Sequence, residues 1–182
     1  METPMLVRPS QQNRIAWIGD SEHDVVLSGR ETGGRLSVFR SVLRAGTSAP
    51  VHLHPAEDET IVLLSGELAV WAGEESFRAH PGDTVFLPRG TAHTFAVVRD
   101  AELVTVCTPA GMEEFFRTAG WNLADGPAPN GWTPSPEGLQ RAAVAGGQEI
   151  LGPPLSPGET MPASALAAAS ARMASGVRFE KE

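Results

Sequence analysis

Three of the five histidines in this sequence accompany one glutamate in a pattern that suits metal binding. His52 and His54 are two residues apart, and side chains on a strand return to the same face every second residue, so both imidazoles project the same way. A bend over residues 55–58 then leads to Glu59, whose carboxylate can point inward beside them. His93 lies on a later strand whose face can meet the other three.

Three imidazoles and one carboxylate suit a borderline divalent ion, and we predict one divalent transition metal ion: Fe, Ni, Co, Mn, Cu or Zn. The set is too rich in nitrogen for Mg or Ca and has too few thiols for an iron–sulfur cluster. Four protein ligands leave positions open on an ion that accepts five or six, which is where a substrate binds. A single histidine is more often a hydrogen-bonded core or surface residue, so the prediction depends on all four residues together.

The elements that must position these residues are short strands. Brief apolar runs recur between residues 14 and 108, and turns rich in the 19 glycines and 15 prolines separate them. This pattern is typical of an all-β sandwich or barrel. One short helix is predicted within Gly111–Gly120, after the barrel, and a further helix is possible over Pro136–Ala145. The Ala-rich residues 163–174 suit a helix of small residues but support no functional claim.

We expect a single domain with three parts, since 182 residues is about one domain's length. Residues 1–13 form a flexible N-terminal arm, residues 14–120 form the barrel with its capping helix, and residues 121–182 form a Pro-rich extension that wraps the barrel. The run Glu59–Ser65 has apolar residues on both faces, so Val62 and Leu64 need a cover. A partner sheet, the arm or a second subunit would supply it, and we favour a homodimer.

Charge and composition exclude several partners. The formal net charge of −8 leaves no basic footprint for nucleic acid or anionic lipid. The sequence has no apolar run long enough to span a bilayer and no secretory signal, so we expect a soluble protein with no membrane partner. Its one cysteine, Cys107, is expected to be a buried strand residue and fits a reducing, cytoplasmic location.

The spacing of these residues resembles the two signature motifs of the cupin superfamily. The matching positions are Gly46, His52, His54, Glu59 and Gly66, followed by Gly82, Pro88, Gly90 and His93. The resemblance implies a jelly-roll barrel, also called a double-stranded β-helix, with His52, His54, Glu59 and His93 as metal ligands. The sequence departs from the second motif at Val97, where asparagine is usual, which leaves the inner wall more apolar.

A closer resemblance is to single-domain proteins similar to quercetin 2,3-dioxygenase. The stretches that carry it are Trp17–Asp20, Thr32–Gly34, Asp58–Glu59, Phe86–His93, Thr108–Phe116 and Glu149–Pro154. The resemblance implies a dioxygenase that adds O2 to an enolic or flavonol-like substrate bound at the metal. Glu59 is then either the base that takes the substrate's hydroxyl proton or a plain metal ligand.

The alternation of side chains along the strands predicts which residues line the substrate pocket. Residues that share the inward face with His93 and Glu59, or lie on neighbouring strands, are Ile61, Leu63, Phe95 and Val97, with Phe39 and Trp71 as weaker candidates. These residues either line a pocket or simply fill the core, and an apolar wall favours an aromatic small molecule. Arg40 interrupts an apolar run and either anchors a substrate anion or faces solvent. His23 and His80 fall outside the motifs and are predicted to be surface or turn residues.

Two other functions remain open at this point. An isomerase, cyclase, dehydratase or decarboxylase would use the metal without O2, and the apolar residue at Val97 favours this class. A small-molecule sensor or binding module would catalyse nothing, although no DNA-binding segment accompanies the barrel. The first hypothesis is a metal-dependent oxygenase of an aromatic or enolic molecule.

Overall fold

The computed structural model describes residues 4–175, and these fold into a mostly β, antiparallel structure. The strands are Asn13–Trp17 (β1), Ser21–Leu27 (β2), Ser37–Leu43 (β3), Val51–Leu53 (β4), Asp58–Ala72 (β5), Glu75–Ala79 (β6), Thr84–Leu87 (β7), His93–Thr108 (β8), Trp121–Asn122 (β9) and Glu149–Gly152 (β10). The α-helices are Gly29–Thr32 (α1), Glu113–Ala119 (α2), Pro136–Ala145 (α3) and Ala163–Ser175 (α4). Among the described residues, no helix is long and apolar enough to cross a membrane.

Two long strands organise the sheet. β5 and β8 pair along most of their length, and their neighbours extend the sheet in the order β10, β4, β8, β3, β2, β1, β9, while β6 and β7 pair with β5. The β5–β8 register shifts between Leu63 and Leu68. Gly66 occupies this irregular point at a φ of 89°, and a Cβ there would lie 2.3 Å from the carbonyl oxygen of Asp100. Only glycine allows the two strands to bend this closely past each other.

The barrel interior follows from alternation along β5 and β8. Glu59, Ile61 and Leu63 point inward and are buried, whereas the residues between them are only partly buried. The interior apolar cluster consists of Leu43, Ile61, Leu63, Leu68, Val70, Ala79, Val85, Leu87, Val97, Ala101 and Leu103. Period-two patterning therefore builds one continuous core inside the barrel.

A second apolar cluster closes one end of the barrel. Phe115 and Phe116 of α2 pack with Phe39 of β3 and with Ala142 and Ala143 of α3. The sequence specifies α3 locally, because the Ser135 hydroxyl accepts a hydrogen bond from the backbone N–H of Gly138 and Pro136 begins the helix. The helices α2 and α3 thus form a lid of small and aromatic side chains over the sheet.

The C-terminal segment covers one outer face of the sheet. β10 pairs with β4, where Ile150 lies opposite His52, and α4 buries Ala165 and Ala169 against that face. The indole N–H of Trp71 donates to the carbonyl oxygen of Glu159 at 2.9 Å. Leu68 to Trp71 are buried on both faces of β5 because this segment covers the side that does not face the barrel.

The predicted all-β jelly-roll fold is confirmed in part, as a mostly β, antiparallel sheet, but one short helix with a Pro-rich tail is too few helices: those considered possible over Pro136–Ala145 and residues 163–174 are both present. The structure has four helices in the described residues, and the extension contributes α3, α4 and strand β10. The sequence carries a local signal for the start of α1. Ser28 and Glu31 form a capping box at its start, with the Ser28 N–H donating to the Glu31 carboxylate at 2.9 Å.

One sheet face remains largely apolar and open. Val38, Val62, Val104 and Val106 are aligned across β3, β5 and β8 and are partly buried. Leu64 is 47% exposed and Phe86 on β7 is 60% exposed at the edge of the same face. We call these six residues the outer valine face. Among the described residues, no element buries Leu64 or Phe86 there, so the predicted homodimer stays an expectation.

Candidate metal centre

Adjacent elements bring the four predicted ligands together. His52 on β4 lies directly opposite His93 at the start of β8, and Glu59 lies near the start of β5. His54 follows the end of β4. The turn before β8 is held against it, because the backbone N–H of Gly90 donates to the His54 carbonyl oxygen at 2.8 Å. Local strand pairing and this turn therefore determine the cluster.

The four side chains form one compact, buried group. One nitrogen or oxygen from each of His52, His54, Glu59 and His93 lies within 4.8 Å of the others. The Nε2 atoms of His93 and His54 lie 3.3 and 3.6 Å from Glu59 Oε2. All four residues are less than 10% exposed. We call these four residues the metal cluster.

Backbone contacts determine the tautomer of two rings. The Nδ1 atoms of His52 and His93 lie 2.8 Å from the carbonyl oxygens of Pro50 and Thr91. A carbonyl oxygen only accepts, so each Nδ1 must carry the proton and donate. The neutral rings therefore present the Nε2 lone pair to the centre of the cluster, which is the form that a metal ion requires.

Glu57 lies behind His54 and was not predicted as part of the site. Its Oε2 is 3.5 Å from His54 Nδ1, and its Oε1 accepts a hydrogen bond from the backbone N–H of Met112 at 3.2 Å. Glu57 is buried and faces the side of His54 away from the other ligands. A carboxylate in this position orients a metal-binding imidazole and increases its basicity. Its place three residues after His54 was the available signal.

Burial controls the protonation of the cluster. It lowers the pKa of His52 well below 6.5, and the neighbouring His93 and His54 rings lower that pKa further. Burial alone would raise the pKa of Glu59, but the adjacent His93 and His54 rings lower it overall. Burial thus favours the neutral form of His52, while Glu59 stays ionised.

The residues fit a divalent transition ion. The Nε2 atoms of His54 and His93 are buried and have no hydrogen-bond partner among the described residues. Buried polar atoms are almost always partnered, so unpartnered nitrogens that surround one point indicate a missing ligand. Atoms bonded to one ion at about 2.1 Å lie within about 4.2 Å of each other, which small side-chain rotations would achieve here. Three imidazoles and a carboxylate would hold such an ion.

A cavity opens onto one side of the metal cluster. It encloses about 690 Å³, including the part open to solvent, and is lined by both His52 and Glu59. A smaller cavity of about 310 Å³ shares Glu59 and Phe95 with it. His54 and His93 line neither cavity. The side of the cluster that a ligand can reach is therefore the side of His52 and Glu59.

The pocket residues predicted from parity fall into two groups. Phe95 lines both cavities, and Phe39 and Ile61 line the smaller one. Leu63 and Val97 line neither and belong to the interior apolar cluster. The unusual residue at Val97 therefore changes the packing of the core and does not face the larger cavity.

Two candidates lie elsewhere. The guanidinium of Arg40 faces outward and pairs with Glu102 at 2.8 Å and Asp24 at 3.6 Å, so the structure does not bring it to the cavity. Trp71 belongs to the outer cluster under α4. Both positions follow from strand parity, since each residue projects from the face opposite to the metal cluster.

Several cavity residues come from parts of the chain that the spacing argument did not consider. Trp17 and His23 come from β1 and β2, Phe115 and Phe116 from α2, and Gln148 from the loop before β10. We call these five residues the flanking wall. The prediction that His23 is a surface or turn residue is wrong, because His23 is 5% exposed. It shares the inward parity of Ser21 and Val25 on β2, a signal the sequence carried.

Comparison with known proteins identifies the family. Residues 39–109 match the model of the cupin domain. Quercetin 2,3-dioxygenase from Bacillus subtilis is 28% identical over 118 residues, which are 64% of this chain and 35% of that protein. The chain thus spans about a third of the length of this relative. Residues 39–109 of this chain are therefore a cupin domain.

Solved structures agree on the fold. KdgF from a Halomonas species superimposes with a TM-score of 0.52 at 18% identity, over 59% of this chain and 94% of that one. A predicted oxalate decarboxylase from Thermotoga maritima superimposes with a TM-score of 0.51 at 25% identity, over 58% of this chain and 99% of that one. The shared part is the cupin sheet, so more than a third of this chain lies outside it.

Proposed function

We propose that this chain is a metal-dependent oxygenase that acts on an aromatic or enolic small molecule. The observation that carries the proposal is the cavity, in which a metal cluster meets a wall of aromatic and aliphatic side chains. The similarity to quercetin 2,3-dioxygenase from Bacillus subtilis supports the reaction class. A bound divalent ion would supply Lewis acidity and a template for the reactants.

Glu59 is proposed as the base of this reaction. Among the described residues it is the one carboxylate that lines the larger cavity, and its lowered pKa keeps it ionised because His93 and His54 face it. An ionised carboxylate there can accept the proton of an enolic hydroxyl and hold it until the product leaves.

The lining of the cavity favours an uncharged substrate. Trp17, Phe95, Phe115 and Phe116 contribute aromatic surface, and no arginine or lysine of the described part of the chain lines the cavity. A sugar acid, a dicarboxylate or a phosphate would enter without a cationic side chain to offset its desolvation. A planar aromatic molecule loses little by leaving water and gains contact with these rings.

A dioxygenase reaction suits a site of this kind. Both atoms of O2 enter the product and the substrate supplies all the electrons, so no separate reductant is required. The aromatic side chains of α2 exclude water from the space beside Glu59, which protects the deprotonated substrate from reprotonation by solvent.

A second function is supported by the same carboxylate. Proton transfer by Glu59 beside a Lewis acid also suits an isomerase, cyclase, dehydratase or decarboxylase that uses no O2. The predicted oxalate decarboxylase from Thermotoga maritima, at 25% identity, favours this possibility. The absence of a lining cation among the described residues argues against oxalate itself, since its charge would be met by the metal alone.

The test is oxygen consumption by metal-loaded protein. Samples loaded separately with Fe²⁺, Mn²⁺, Co²⁺, Ni²⁺, Cu²⁺ and Zn²⁺ are mixed with quercetin and with simpler enols, and dissolved O2 and products are followed by electrode and mass spectrometry. Uptake with incorporation of two labelled oxygen atoms supports the proposal. Product formed equally well under nitrogen favours the second function, and tight binding without turnover indicates a binding module.

Glu59→Gln separates the base from the plain ligand. If Glu59 is the base, turnover falls by roughly 10²–10⁴-fold while most of the metal remains bound, because an amide oxygen can still coordinate but cannot take a proton. Metal content is measured by elemental analysis and activity by O2 uptake. Loss of metal in proportion to activity would make Glu59 a ligand only. Glu75→Gln, an exposed change on β6, is the matched control.

A further inference from the structure

Two buried polar atoms in the flanking wall have no partner. His23 Nε2 and Gln148 Nε2 make no hydrogen bond with any described residue, although His23 is 5% and Gln148 8% exposed. Both residues line the larger cavity. Unpartnered buried polar atoms are costly, so two of them around one cavity indicate a polar group that belongs to a ligand.

His23 is held rigidly in the cavity wall. Its Nδ1 lies 2.8 Å from the Ser41 hydroxyl on the neighbouring strand β3. Its ring packs on Phe116 at a centroid distance of 4.0 Å and against Trp17 at 5.8 Å. These contacts fix the ring, and they leave Nε2 as its remaining polar atom.

The chemistry of His23 is that of a neutral hydrogen-bonding group. Burial lowers the pKa of His23 to about 3, so the ring is uncharged near neutral pH. The Ser41 hydroxyl either donates to Nδ1 or accepts from it, and the choice determines whether Nε2 offers a proton or a lone pair. His23 Nε2 can therefore form a hydrogen bond with either a hydroxyl or a carbonyl oxygen. The Gln148 amide nitrogen can only donate one.

His23 and Gln148 line the larger cavity together with His52 and Glu59, but they lie on elements other than those that carry the metal ligands. His23 lies on β2, which β3 and β8 separate from β5 and Glu59 in the sheet order. Gln148 follows α3 and precedes β10. We propose that His23 and Gln148 form a second polar subsite, which binds a hydroxyl or carbonyl oxygen of an uncharged aromatic ligand whose enolic group meets the metal cluster.

The ligand class rests on the proposed function, but the subsite can be tested without turnover. Protein loaded with Zn²⁺ is titrated under nitrogen with quercetin and with 3-hydroxyflavone, by quenching of tryptophan fluorescence. The second probe keeps the enolic hydroxyl and the adjacent carbonyl but lacks the other hydroxyls. The ratio of the two dissociation constants therefore reports hydrogen bonds made away from the enolic group.

We expect the unchanged protein to bind quercetin about tenfold more tightly than 3-hydroxyflavone. Gln148→Leu and the double variant His23→Phe with Ser41→Ala should each reduce this ratio about three- to tenfold, mainly by weakening quercetin. The double variant avoids leaving the Ser41 hydroxyl without a partner. Gln140→Leu on the exposed side of α3 and His80→Phe at a surface turn are the matched controls and should leave the ratio unchanged.

Each outcome decides the proposal. A ratio that stays the same in both variants would mean that a buried water alone occupies the subsite, and this overturns it. Failure of both probes to bind the unchanged protein overturns the ligand class. If Gln148→Leu loses the preference for quercetin over 3-hydroxyflavone while its metal content and circular dichroism stay unchanged, the subsite is supported. This holds even if the double variant does not fold. A collapsed ratio without O2 uptake supports the subsite while the oxygenase proposal fails.

Discussion

The metal cluster and the flanking wall line the same cavity but are encoded in different ways. All four residues of the metal cluster lie within residues 39–109, the segment that matches the cupin domain. The residues of the flanking wall lie outside that segment, on β1, β2, α2 and the loop before β10. The metal ligands thus lie within the matched domain, and five of the residues that shape the cavity beside them lie outside it.

Removing a metal ligand should produce the largest effect. His52→Ala or His93→Ala leaves three protein ligands, and binding should weaken by more than the 10–100-fold typical of outer partners. Elemental analysis of purified protein measures the loss. The melting temperature should lose its dependence on added metal. Full metal content in both variants would refute the assignment of the metal cluster, and His80→Ala on the surface is the matched control.

Glu57→Gln tests whether the cluster depends on a residue behind it. An amide cannot compensate the positive charge that His54 gains on metal binding, so metal affinity should fall about 10–100-fold. Competition with a chromogenic chelator gives this affinity. Exposed Glu137→Gln on α3 should change nothing. An unchanged affinity in Glu57→Gln would restrict Glu57 to holding the backbone N–H of Met112.

We expect the burial of His23, one residue of the flanking wall, to reduce folding stability in acid. Burial lowers the pKa of His23 to about 3 from 6.5, so between these values the unfolded chain binds a proton that the folded chain does not. Folding stability is therefore fully present above pH 6.5 and decreases as the pH falls toward 3, by up to about 1.4 kcal/mol per pH unit. Urea unfolding at several pH values should show that His23→Phe with Ser41→Ala has a shallower slope, because only the contribution of His23 is lost and that of buried His52 remains.

A change at His80, which lies at a surface turn, is the control for this pH dependence of stability. His80→Phe should retain the pH dependence of the unchanged protein, because His80 is exposed and does not share the burial of His23. Parallel slopes in all three proteins would mean that His23 does not remain neutral in the fold. The metal-free protein is used for all three, so that release of metal in acid does not contribute.

A substitution on the outer valine face should have the smallest effect on the cavity, because this face is separate from the metal cluster and the flanking wall. If a second copy covers this face, light scattering after size exclusion will give a dimer, and Phe86→Asp will weaken it. Metal content and quercetin affinity should stay the same. A monomer in the unchanged protein would contradict the expected homodimer, and Glu75→Gln on exposed β6 is the control.

Sequence alone was sufficient to group the four residues of the metal cluster, because their types and spacing form a recognisable pattern. His52 and His54 share a strand face by periodicity, and turns with glycine and proline place Glu59 and His93 next to them. Local signals also placed α3, which begins after Ser135 and Pro136. The full length of the two longest strands was not predicted. In the sequence, β5 and β8 each look like two short runs, which turn residues such as Ser65 and Gly66 separate.

The flanking wall escaped prediction because tertiary packing creates it. Nothing near Gln148 in the sequence indicates that its side chain reaches the cavity, since α3 and the pairing of β10 with β4 place it there. His23 could have been assigned to the interior from its parity on β2, but an interior histidine has no function until its neighbours are known. Leu63 and Val97 were predicted to line the pocket but lie in the interior apolar cluster. An inward position on a strand does not show whether a side chain faces the core or a cavity.

The hydrogen bonds from His52 and His93 to the carbonyl oxygens of Pro50 and Thr91 have a consequence for how this site can change. Each ring takes its orientation from the main chain two residues earlier and not from another side chain. Replacement of surrounding residues over evolutionary time therefore leaves both imidazoles correctly aimed. A scaffold of this kind can acquire new substrates by altering its periphery while it keeps a working cation site throughout.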